Sequence, residues 1–161
     1  EISECLVGSE MCIRDSYITV HDFAEAVELL NHLDGGIFLT TGSKNLPDFT
    51  AVHDYAERIV LRILPLESSL QIALKLGYKP AHIICMQGPF SKELNVAMLK
   101  KYGSKFMVTK DSGAVGGFDE KVEAAAAAGA KLIVIGRAQE ETGAGYSEIV
   151  DYLKQHFAAG N

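Results

Sequence analysis

From Tyr17 onward, short apolar runs alternate with segments whose apolar residues recur every three or four positions. Tyr17–Val20 predicts a short strand. Asp22, with Glu25 three residues on, predicts a helix start, and Phe23, Ala26, Val27, Leu30 and Leu33 form its apolar face. Gly35-Gly36 ends that helix, and Ile37–Thr41 predicts a buried strand. A short helix is predicted over Pro47–Ala56, then a strand over Arg58–Leu64 that Pro65 stops. A helix over Ser68–Leu76 ends at Gly77, and Ala81–Met86 predicts a further strand. The helix over Ser91–Tyr102 ends at Gly103, with Ser91 as its cap, and Lys105–Thr109 predicts a strand. An alanine-rich helix over Phe118–Ala128 ends at Gly129, followed by a strand over Lys131–Ile135. A last helix, about Ser147–Phe157, carries Ile149, Val150, Leu153 and Phe157 as its stripe.

Strands that read as continuous β-branched runs, each followed by a helix, predict a parallel sheet covered on both faces. The fold class is therefore α/β, Rossmann-like and doubly wound. In such a sheet, ligands sit outside the carboxyl ends of the strands, so the strand-to-helix loops carry the chemistry.

Three loops stand out. Thr40-Thr41-Gly42-Ser43-Lys44-Asn45 joins a glycine to hydroxyls and a lysine, a set suited to phosphate or carboxylate oxygens. Met86-Gln87-Gly88-Pro89-Phe90-Ser91 places an amide side chain beside a rigid turn. The third, Thr109 to Phe118, holds Lys110, Asp111, Ser112 and Gly113 ahead of Gly116 and Gly117. Arg137 follows the last strand on the same edge. Each loop taken singly also reads as an ordinary turn or helix cap. Lys44, Lys110 and Arg137 together predict a positive site for an anionic ligand.

The 161 residues are 48% hydrophobic and 22% charged, which suits a packed domain and excludes a disordered chain. The net charge of −6 argues against a nucleic-acid surface, and no apolar run reaches the ~18 residues of a membrane helix. Walker, GxGxxG and GxSxG motifs are absent, and His21, His32, His53, His82 and His156 show no metal-ligand spacing. His82, beside a strand, reads as an edge residue. Cys85, inside an apolar run, is expected to be a core residue rather than a nucleophile.

Residues 1–16 have neither helical nor strand periodicity, and Leu6–Ser16 (LVGSEMCIRDS) resembles one reading frame of a transposase adapter used to prepare sequencing libraries. The segment is expected to be non-native. It contains Glu1, Glu4, Glu10 and Asp15 against Arg14, so the other 145 residues carry −3 of the total −6. They keep Cys85 alone of the three cysteines, which suits a reduced, cytoplasmic protein.

FLTTGSKNL (38–46), MQGPFSKELN (86–95), VTKDSGAVGGFDEK (108–121) and the shorter RILP (62–65) resemble the precorrin-6A reductase family of cobalamin biosynthesis in order and spacing. The resemblance covers nearly all of 17–161. Arg137-Ala138 departs from the Arg-Pro usual there. The resemblance implies reduction of one C=C bond of a precorrin macrocycle, cobalt-free or cobalt-containing, to the 6B form, with NADPH or NADH giving hydride to ring carbon C19. It also implies an N-terminal Rossmann-like domain of the same polypeptide, with ligands between the two domains. On that basis residues 17–35 are expected to be a remnant of that domain and its connecting helix. Residues 36–161 are then the C-terminal Rossmann-like domain, monomeric, and a poorly active fragment on its own. Thr41, Gly42, Ser43, Lys44, Gln87 and Gly88 are expected at cofactor or substrate anions, with Lys110, Asp111, Ser112 and Gly113 closing over the macrocycle. No nucleic acid, membrane or bound metal is expected. The loops alone also suit a non-catalytic module binding a nucleotide or small anion, or a tetrapyrrole enzyme of another reaction class.

Overall fold

The computed structural model describes residues 17–111, 117–136 and 146–156. Strands β1 (Tyr17–Val20), β2 (Gly36–Leu39), β3 (Ile59–Ile63), β4 (Ile83–Cys85), β5 (Ser104–Lys110) and β6 (Lys131–Ile135) form one sheet in the order β1-β6-β5-β2-β3-β4. Every pairing is parallel. From β2 the chain lays down β3 and β4 to one side, then crosses back to place β5 against the other side of β2. The topological reversal therefore falls between β2 and β5, where an open parallel sheet leaves a crevice at its carboxyl edge. The doubly wound α/β reading holds.

Alternation along the strands divides the core in two. Ile37 and Leu39 of β2, with Leu61 and Val108, face helices α1 (Phe23–Asn31), α2 (Leu46–Phe49), α4 (Glu67–Lys75) and α7 (Tyr146–His156). Phe38 of β2, with Val60, Met107 and Val134, faces α5 (Lys92–Tyr102) and α6 (Phe118–Ala128). Both faces are covered, which is why these strands read as unbroken apolar runs. Among the described residues no helix is long and apolar enough to cross a membrane.

The helix starts follow their caps. Asp22 accepts the Glu25 N–H at 2.9 Å while the Glu25 carboxylate accepts the His21 N–H at 2.9 Å, and Ser91 Oγ accepts the Leu94 N–H at 3.1 Å. Residues 17–35 build into the same sheet as the rest: β1 pairs with β6 along its length, and Leu29 and Leu30 of α1 are buried in the shared core.

Four expectations are corrected, the last at Arg58. The helix over Pro47–Ala56 is two short helices, α2 and α3 (Tyr55–Arg58), interrupted at Asp54, whose φ of +56° is left-handed. Aspartate tolerates that conformation better than most residues, and Phe49 and Val52, ahead of the break, are both buried in the core. The strand over Ala81–Met86 shortens to β4, preceded by a 3-10 turn at Pro80–His82, and Cys85 is exposed rather than buried. β4 is the sheet edge, paired with β3 alone, and Cys85 is its last residue, at the carboxyl rim.

Arg58, expected in a strand, ends α3 and reaches back to three carbonyls: Nε to Gly35 at 3.0 Å, Nη1 to Leu30 at 3.2 Å and Nη2 to Leu33 at 2.9 Å. These carbonyls lie at the C-terminal end of α1 and in the turn after it, where that of Leu30 also accepts the Leu33 N–H at 3.2 Å. Arg58→Ala is expected to cost about 2–3 kcal/mol, because charged donors to partly buried carbonyls are lost together. A urea midpoint equal to the parent's would show that water replaces them without cost.

Candidate functional site

A cleft of about 460 Å³ opens at the carboxyl edge of β2, β3 and β4. Thr40 and Gly42 line it after β2, and Gly117 and Lys121 line it at the start of α6. It therefore includes both sides of the β2/β5 reversal. Thr40 joins them directly, its N–H and Oγ1 each donating to the Val108 carbonyl at 2.9 Å. Ile63, Leu64, Met86 and Phe90 make an apolar wall.

Arg62 lies on the α5/α6 face of β3 and is only 5% exposed. Its Nη1 donates to Asn95 Oδ1 at 2.7 Å and contacts Met98 Sδ at 3.5 Å. The Phe90 ring covers the guanidinium, with 3.5 Å from Cζ to the ring centroid. Gly88 allows that cover, since a Cβ there would come within 2.9 Å of the Phe90 ring. Burial pulls the Arg62 pKa down to about 10, so it stays charged at neutral pH.

Lys121 projects from the first turn of α6 and donates to Thr109 Oγ1 at 2.9 Å. Burial, and secondarily the charge of Arg62, lower its pKa to about 8. The cleft thus holds two desolvated cations close enough to feel one another. Asn95 on α5 holds Arg62 through its oxygen, while its buried Nδ2 has no hydrogen-bond partner.

Of the residues expected to bind anions, Gly42 and Gly88 line the cleft, together with Thr40, Met86, Pro89, Phe90 and Gly117 of the same three loops. Gly42 adopts φ +88° with nothing within 4 Å of where a Cβ would sit, so backbone conformation rather than packing requires it. Thr41 is buried with its Oγ1 unpartnered, and Ser43 Oγ donates to Ser69 Oγ at 3.2 Å. Lys44, Gln87, Lys110 and Asp111 are exposed and do not line the cleft, and the Asp111 N–H is held by the Ile135 carbonyl at 2.9 Å. Ser112, Gly113 and Arg137 lie outside the described residues, as do residues 1–16 and Phe157.

The cleft's cations are therefore ones that loop chemistry did not single out. Arg62 carried a signal, a charge inside the apolar run IVLRIL (59–64). Lys121 carried only its place as the last residue of VTKDSGAVGGFDEK (108–121), because a lysine in the first turns of a helix otherwise resembles any surface lysine.

A family model described as Precorrin-6x reductase CbiJ/CobK matches residues 8–154. The chain is 43% identical over 144 residues to a cobalt-precorrin-6A reductase of Priestia megaterium, covering 87% of this chain and 56% of that protein. It is 41% identical over 128 residues to a cobalt-precorrin-6A reductase of Methanothermobacter thermautotrophicus, covering 78% of this chain and 42% of that protein. Among solved structures it is similar to CobK precorrin-6A reductase, with a TM-score of 0.60 and 25% identity over 89% of this chain and 57% of that one. The chain spans about half the length of the curated relatives it matches.

Proposed function

Because the chain belongs to the precorrin-6x reductase family, we propose that it serves the reduction of precorrin-6A, or its cobalt form, to the 6B form in cobalamin biosynthesis. The hydride donor is a nicotinamide nucleotide, NADPH or NADH. The observation that carries the reading is a cleft at the topological reversal of a parallel sheet, in a chain 43% identical to a cobalt-precorrin-6A reductase.

The residues present suit an anionic, partly flat ligand. Gly42 offers backbone that a ligand can approach without meeting a side chain. Ile63, Leu64, Met86 and Phe90 offer apolar surface that displaces water from a macrocycle or a nicotinamide ring. When bound, the nucleotide supplies the hydride. The protein's part is to hold donor and acceptor carbons in register and to keep the cleft positive, which favours developing negative charge. The matched stretch covers 56% and 42% of the first two curated relatives, and the remainder of the ligand site is assigned to their additional length.

The test is a reductase assay on the polypeptide extended to the relatives' length and on the 161-residue chain. Each is mixed with cobalt-free and cobalt-containing precorrin-6A and with either reduced nucleotide. The extended protein is expected to consume one nucleotide per macrocycle, which gains two hydrogens, and the 161-residue chain to turn over far more slowly. Nucleotide left unconsumed by the extended protein in all four combinations would sink the reading.

A further inference from the structure

We propose that Arg62, Asn95 and Lys121 form an oxyanion site on the wall of this cleft, built to receive one carboxylate or phosphate group. The assignment rests on the cleft being a ligand site, though not on the reaction carried out there.

Three observations converge. A guanidinium 5% exposed has been stripped of most of its water, which is costly unless an opposite charge replaces it. Among the described residues, Arg62's hydrogen-bonding and ring partners are an amide oxygen, a thioether and two aromatic rings, none of them negative. Both of its hydrogen bonds leave from Nη1. Nε and Nη2 remain for a ligand, and that edge matches the two oxygens of a carboxylate or phosphate.

Asn95 supplies the second observation. An arginine can only donate, so the amide atom facing it must be the oxygen. That assignment turns Nδ2 away from Arg62, and it is buried, 1% of Asn95 being exposed, with no partner. A sealed donor costs about 1–3 kcal/mol unless something accepts from it. Asn95 also lines the cleft, so an accepting atom bound there can reach it.

The third is the like-charged neighbour. Lys121 lines the same cleft, and its ammonium is close enough to Arg62 for repulsion to register. Two cations crowded into an apolar-walled space repel when it is empty and act together when an anion enters. The group that satisfies all three is an oxyanion: it takes two N–H from Arg62, one from Asn95 and charge from Lys121. A nucleotide phosphate and a macrocycle carboxylate share that chemistry.

Calorimetric titration of the 161-residue chain with inorganic pyrophosphate and, separately, with tricarballylate tests the assignment. Binding of pyrophosphate alone points to a nucleotide phosphate, and binding of tricarballylate alone to a substrate carboxylate; both support the site. Asn95→Asp is the decisive variant. It keeps the side chain's shape, places a carboxylate 2.7 Å from Arg62 Nη1, and should cut affinity at least tenfold without unfolding the chain. Lys121→Met should also lose about tenfold, whereas Lys100→Ala, on the exposed side of α5, should change nothing. No binding of either anion, or equal binding by a folded Asn95→Asp variant, would overturn the proposal. An inactive reductase whose cleft still binds anions would leave it standing.

Discussion

Substituting leucine for Arg62 is expected to leave the fold about as stable as before while cutting anion affinity about a hundredfold. A structural arginine would behave oppositely. The stability side has two opposing parts. Removing a desolvated charge that no carboxylate offsets among the described residues is favourable, and leucine fits beside Phe38, Phe90 and Met98, which already surround the position. Against this, Asn95 Oδ1 loses its donor, at a cost of about 1–2 kcal/mol. The two roughly cancel, so the urea midpoint should move little. On the binding side nothing cancels. A charge-assisted contact from a buried guanidinium contributes about 2–3 kcal/mol, and about 2.7 kcal/mol is a hundredfold. The double variant Arg62→Leu with Asn95→Leu removes the stranded oxygen and should recover any stability lost, while anion affinity stays low. A large loss of stability with affinity intact would make Arg62 a packing residue and return the anion site to the exposed loop cations.

The contrast between Arg62 and those loop cations shows where a sequence informs and where it does not. The sheet was legible because burial on both faces writes itself as unbroken runs such as Ile37–Leu39 and Lys131–Ile135, with glycines at 103 and 129 stopping the helices between them. Caps at Asp22 and Ser91 were legible because their mechanism spans three residues. The left-handed break at Asp54 was not, since an aspartate adopts right-handed and left-handed conformations alike without a glycine to mark the turn. Cys85 was misplaced for a related reason. An apolar run does not say which strand lies at the edge of a sheet, and strand order is set by crossovers. At the site, proximity was the missing information. Arg62 and Lys121 lie 59 positions apart, and only the crossing from β4 back to β5 brings them to one cleft.

That proximity predicts opposed pH dependences for stability and for binding. The Lys121 ammonium has a pKa of about 8 in the fold against 10.5 for an ordinary lysine, chiefly through burial. Between those values the unfolded chain holds a proton that the folded chain has released, so stability rises with pH from about 8 towards 10.5 and loses that contribution below 8. Anion binding runs the other way. Below about pH 8 the lysine is already charged and affinity is flat. Above it, binding must take up a proton, because the bound anion raises the lysine's pKa again, and affinity falls by up to about tenfold per pH unit. Arg62 keeps its charge until about pH 10, so measurements between pH 7 and about 9.5 isolate the lysine. Calorimetry in two buffers of different ionisation heat should detect the proton uptake above pH 8, and Lys121→Met should abolish both the uptake and the slope. A lysine that serves only to hold Thr109 would leave affinity level across the range. A sloping affinity with an opposite slope in stability is the mark of a charge kept in the fold at a cost because a ligand needs it there.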